Sequence, residues 1–230
     1  MPRMQRLRLL GAGGGAAFAV LVLVALAIAP GPSSANGVTV VKYYSAHGTA
    51  ALWQATLVGF ALVCFMWFAG TFAGWADRLS SGPAVLVSAG AMAALYLTAV
   101  GCWESLGENY AGVDVISVSS EGFGDAHLLY DVGVGATHLA NFMDAAFVGA
   151  TAAALLTVAA PWRRLGRIGI GLTLVQLINA PLQIFAGSDW SDAAGAIVFL
   201  ALLAWVFGLS AVLVVSIRRA AVPVPPSVRA

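Results

Sequence analysis

Apolar runs of about 20 residues alternate with short polar connections along this chain, and six of them meet or approach the length needed to cross a bilayer as a helix. They cover residues 9 to 30, 52 to 75, 84 to 103, 136 to 160, 168 to 185 and 193 to 217. The pattern predicts an all-α fold, a polytopic transmembrane helix bundle of six spans, with residues 1-217 forming one membrane domain.

The connections orient it. Arg3, Arg6 and Arg8 precede the first span, Arg78 lies between the second and third, Arg163, Arg164 and Arg167 lie between the fourth and fifth, and Arg218, Arg219 and Arg229 follow the sixth. All of them share one side, which the positive-inside rule makes the cytoplasm, so both termini are expected there. The other side receives Glu104, Glu108, Asp114, Glu121, Asp125, Asp189 and Asp192, with Lys42 as its one Lys or Arg. Trp53, Trp75, Trp103, Trp162 and Trp190 fall at or near span ends, where an amphipathic indole sits best. A cleaved signal peptide is the alternative for the N-terminus. The run from Leu9 to Pro30 exceeds the usual apolar core of about 7 to 15 residues, which favours a retained first span.

Two outer segments carry substance. Residues 31 to 51 bring Val40, Val41, Tyr43 and Tyr44 into the second span, and residues 104-135 read as an acidic extracytoplasmic loop followed by the outer extension of helix four. Within that loop VDVISVSS reads as a short strand or as coil, and Asp125 as an N-cap. The segment 218-230, ending AVPVPPSVRA, reads as a disordered cytoplasmic tail.

Composition agrees with a bilayer as solvent: 60% hydrophobic residues, 9% charged, and a mean hydropathy of +0.91. A net charge of +1 gives no attraction to nucleic acid. Arginine in place of lysine, with abundant Ala, Gly and Val, suits a high-GC bacterial gene and hence the plasma (inner) membrane. Cys64 and Cys102 are separated by about 18 Å of helical depth, too far to bridge, so two free thiols are expected.

The helix entering the fourth span holds the densest chemistry. His127, Asp131, His138 and Asn141 fall within about an 80° stripe, and Asp144 lies a turn deeper. A carboxylate inside the apolar run implies a partner or a water-filled cavity. Gln176, Asn179 and Gln183 line one face of span five, which the short loop at Pro161 to Arg167 folds back against span four. Counting outward from that loop puts Gln183 near the depth of Asp144. Gln54 and Thr56 near the outer end of span two, with His47 above, complete a wall, and Pro181 is expected to bend span five beside it. These positions define a polar pocket between spans two, four and five, open to the outside and closed by apolar residues below.

Several meanings compete for the cluster. Interhelical amides often serve as packing contacts worth about 1 kcal/mol with no ligand involved. The ligand reading takes His47, Gln54, His138, Asn141, Asp144, Gln176, Asn179 and Gln183 as binding residues for a small molecule, lipid or cation, in a binding or transport-accessory role. A divalent metal held by His127 and Asp131 at i, i+4 is a second reading, since that spacing puts both donors on one ion. An enzyme would use His127, Asp131, His138 or Asp144 as metal ligands or acid-base groups, though no nucleophile constellation accompanies them. A structural or assembly subunit is a further alternative. GAGGGA at 11 to 16 lacks the strand of a dinucleotide fingerprint, and Gly11 and Gly15 read as helix-packing positions.

Val40-Val41-Lys42-Tyr43-Tyr44-Ser45-Ala46-His47, the Trp67-Phe68-Ala69-Gly70 of the following span and the loop Pro161-Trp162-Arg163-Arg164-Leu165-Gly166 carry a resemblance. They are similar to segments of uncharacterised six-helix integral membrane proteins of actinobacteria. The resemblance implies the six-span architecture and singles out His47, and it implies no activity.

Overall fold

The computed structural model describes residues 3–76, 81–158, 162–186 and 189–220. Among these residues there are six long helices: α1 (Arg3–Ile28), α2 (Gly37–Ala76), α3 (Gly82–Tyr110), α4 (Ser120–Leu156), α5 (Trp162–Ala186) and α6 (Asp189–Ala220). Each is long and apolar enough to cross a membrane, and no strand occurs among the described residues. Each helix packs on its neighbours in the chain, α1 closes the ring against α6, and α2 also touches α4 across it. Alternating direction gathers Arg6, Arg8, Arg163, Arg164, Arg167 and Arg218 at one end, the basic end, and Glu104, Glu108, Asp114, Glu121 and Asp125 at the other. Asp77, Arg78 and the tail beyond Ala220 lie outside the described residues.

The outward surface of the ring is apolar. On α2 the exposed residues Trp53, Phe60, Val63 and Trp67 form a stripe, and on α5 Leu174, Ile178 and Phe185 do the same. Such surfaces suit acyl chains rather than water. Toward the basic end the ring is filled by Phe65, Phe68, Phe72, Phe147, Leu155, Leu202 and Leu209, all fully or almost fully buried. Aromatic contacts run from Phe18 through Phe65 to Phe147, each at 5.0 Å, and Trp75 stacks on Trp162 at 5.2 Å. Close helix approach depends on small residues. A Cβ on Gly11 or Gly14 would overlap Thr71 or the Cys64 carbonyl on α2, and one on Gly15 would press on Phe68 and Ser210. The hydroxyl of Ser210 on α6 donates to the Ala12 carbonyl and accepts from the Ala16 amide at 3.1 Å, pinning α1 to α6.

The helices run further than the apolar windows of the sequence. At 40 and 37 residues, α2 and α4 are each roughly 55 to 60 Å long, far beyond the ~30 Å hydrocarbon core. Residues 37 to 51, read as loop, are helical. So are 104 to 110 and 120 to 125, so the acidic connection shrinks to 111–119 and contains a single 3-10 turn, Val115–Ser117, with no strand. Ser119, not Asp125, caps α4, its hydroxyl accepting from the Gly122 amide at 3.1 Å. Residues 218 to 220 belong to α6 rather than to a tail. Hydropathy reports the bilayer's thickness, whereas helix length is set by what packs outside it.

That packing is a small headpiece at the acidic end, with its own core of Val40, Val41, Tyr44, Ala51, Leu106 and Ala126. It also ties down the α1–α2 connection: Gln54 Nε2 donates to the Ala29 carbonyl (2.8 Å), the Gly31 amide to the Tyr43 hydroxyl (3.0 Å), and His127 Nδ1 meets the Ala35 carbonyl (2.7 Å). Gly31 takes φ 95°, a conformation that favours glycine.

Candidate functional site

Between the headpiece and the aromatic base lies a cavity of about 410 Å³, lined by residues of all six helices. The apolar wall comes from Phe18, Val22 and Leu26 on α1, from α2 around Ala55 and Val58, and from Phe199 and Leu200 on α6. The polar wall is Gln54, Thr137, His138, Asn141 and Gln183, with Tyr96 and Trp103 of α3 between the two. The pocket expected between spans two, four and five is therefore wider and more apolar than the sequence implied. It lies on the ring axis, and α1, α3 and α6 contribute as much wall as the other helices. Helical periodicity identifies a polar face but not the number of helices that face it.

The expected site residues divide into three groups. Gln54, His138, Asn141 and Gln183 line the cavity. Asn141 Nδ2 donates to Gln183 Oε1, joining α4 to α5, and the antiparallel return through a short loop is what brings these amides level. Asp144, Gln176 and Asn179 are buried but are not part of the cavity wall. Asp144 is 1% exposed and accepts a hydrogen bond at Oδ2 from the Tyr96 hydroxyl, 2.9 Å away, while its Oδ1 has no donor. Gln176, 2% exposed, likewise has no donor at Oε1. The third group stands away from the cavity, at the helix surface. His47 is exposed in the headpiece, its Nδ1 3.1 Å from the Tyr43 carbonyl and its ring stacked on Tyr43 at 4.8 Å. Thr56 is exposed and donates to the Leu52 carbonyl.

His127 and Asp131 lie together at 3.4 Å with about half of each side chain exposed. Nδ1 is engaged by Ala35, so Nε2 and the Asp131 carboxylate are what the pair offers a metal. Among the described residues no group of three His, Cys, Asp or Glu side chains is placed to hold an ion. Cys64 and Cys102 are free thiols.

Tyr96 escaped sequence reasoning because a lone tyrosine in an apolar span carries no pattern. Its partner Asp144 was the available signal: a buried carboxylate requires a donor, and α3 is adjacent to α4 in the chain. Phe199 packs on the same tyrosine with ring centroids 6.2 Å apart, holding it in place from α6.

The six helices of spanning length and apolarity among the described residues mark the chain as a multi-pass membrane protein. No family model, curated protein or solved structure matches it.

Proposed function

We propose that the protein binds an apolar or amphiphilic small molecule, a lipid or a lipid-like ligand, in the central cavity. The observation that carries this is the cavity's composition: about 410 Å³ with mostly aliphatic and aromatic walls and one cluster of amides and an imidazole. Small-molecule sites have this character, an apolar enclosure of about 300 to 1,000 Å³ with few orienting polar groups. Leu26 and Leu200 line the cavity yet are 45% and 48% exposed, so the wall between α1 and α6 near the acidic end is the least sealed. A ligand dissolved in the bilayer enters there, and its polar end turns toward Gln54, His138, Asn141 and Gln183.

By the positive-inside rule the basic end faces the cytoplasm, both termini with it, and the cavity opens in the outer half of a bacterial plasma membrane. The similarity of the Tyr43-Tyr44 entry and the Trp162 loop to actinobacterial six-helix membrane proteins fits that placement. The role this reading assigns is that of a binding or transport-accessory protein.

The test compares molecules that co-purify with wild type and with Ala55→Trp, which fills the cavity from α2. An apolar or amphiphilic species present in wild type and depleted in a folded Ala55→Trp supports the reading. Equal recovery of every such species from both proteins contradicts it.

A further inference from the structure

The hydrogen-bond donors in the wall of the central cavity are largely committed to the protein itself. Gln54 Nε2 gives a hydrogen to the Ala29 carbonyl at 2.8 Å, the Thr137 hydroxyl to the Val134 carbonyl at 2.7 Å, and the Tyr96 hydroxyl to Asp144 Oδ2 at 2.9 Å. Asn141 Nδ2 donates to Gln183 Oε1. A hydroxyl has one hydrogen and two lone pairs, and an amide oxygen has two lone pairs, so each of these bonds spends a donor and leaves oxygen behind. Gln54, Thr137, Tyr96 and Asn141 therefore retain more acceptor sites than N–H or O–H groups. Gln183 is turned the other way by its neighbours. Its Oε1 faces Asn141, and its Nε2 packs so closely on Gly195 of α6 that a Cβ there would overlap it.

Charge narrows the choice of ligand further. No Lys, Arg, Asp or Glu is among the residues lining the cavity, and Asp144 stands behind Tyr96 outside that wall. His138 lines the cavity and already interacts within the protein. An ionic group drawn into such an apolar enclosure loses its hydration and finds no counter-charge. Anions meet a second obstacle, since the acidic end toward which the cavity opens carries Glu104, Glu108, Asp114, Glu121 and Asp125, with Lys42 as the one Lys or Arg of the headpiece among the described residues. An ether or ketone oxygen is uncharged but only accepts, and so cannot use the surplus lone pairs. A hydroxyl does both, donating to an amide oxygen and accepting a remaining N–H.

We propose that the cavity selects an uncharged amphiphile ending in a hydroxyl, a long-chain alcohol in chemical class, over amphiphiles ending in phosphate, ammonium or ether oxygen. This rests on the central cavity being a ligand site, and adds to it the identity of the group that the polar wall receives.

The experiment measures saturable binding of tritiated 1-dodecanol to the full chain in phosphatidylcholine nanodiscs, with empty nanodiscs as background. Unlabelled 1-dodecanol should displace the label, whereas dodecyl methyl ether, dodecyl phosphate and dodecyltrimethylammonium should each need about tenfold higher concentration. In Asn141→Leu, which keeps the apolar walls, alcohol and ether should compete within about twofold of each other. Absence of saturable dodecanol binding overturns the selectivity, as does an ether, phosphate or ammonium competitor equal to the alcohol in wild type, or a full preference for alcohol surviving in Asn141→Leu. The cavity is scored separately with Ala55→Trp, or with Val58→Trp on the same wall of α2 if the first does not fold. Loss of dodecanol binding in the folded variant keeps the cavity as the site even where the selectivity fails, and unchanged binding overturns both.

Discussion

Tyr96 and Asp144 meet across the α3–α4 interface, the hydroxyl donating to Oδ2 at 2.9 Å in a layer where the carboxyl is 1% exposed. The same tyrosine forms part of the cavity wall. Removing its hydroxyl therefore takes the side-chain donor from a buried acid and changes the cavity by a single oxygen. Tyr96→Phe should cost about 1 to 3 kcal/mol and lower Tm, with the helical circular dichroism spectrum unchanged. A variant melting with wild type would show that the bond contributes nothing to the fold.

Asn141 and Gln183 tie α4 to α5 through their amides. In a double-mutant cycle with Asn141→Leu and Gln183→Leu, unfolding in mixed micelles should give a coupling of about 0.5 to 1.7 kcal/mol, the range found for polar contacts between membrane helices. Strict additivity would mean that the two amides act independently.

Orientation has its own check. With Cys64 and Cys102 replaced by Ala, Ile116→Cys in the short acidic connection, where the native side chain is 93% exposed, should react with an impermeant maleimide on intact cells. Met4→Cys at the basic end should react only after permeabilisation. The reverse pattern would invert the proposed topology.

Much of this architecture was legible in the pattern of residues. Six apolar windows became six helices because a bilayer admits almost no other spanning structure, and the arginines gathered at one end because short connections force neighbouring helices to alternate. The headpiece was not legible. Val40, Val41 and Tyr44 look like a loop flanking an apolar run until Leu106 and Ala126 arrive from two other helices to cover them. The amide pair Asn141 and Gln183 was within reach, because both the spacing and the hairpin are local. The cavity's apolar walls were not. Phe18, Val22 and Phe199 lie in uniformly apolar stretches with no polar face to mark them, and only closure of α1 on α6 turns them toward the cavity.

What fills that chamber is seen most directly in a density map of wild-type protein purified in nanodiscs of its own membrane lipids. A bound lipid or amphiphile would give an elongated density lying against Phe18, Val58 and Phe199, with one end at Gln54, Asn141 and Gln183. A collapsed chamber, or one holding only ordered water, would contradict it.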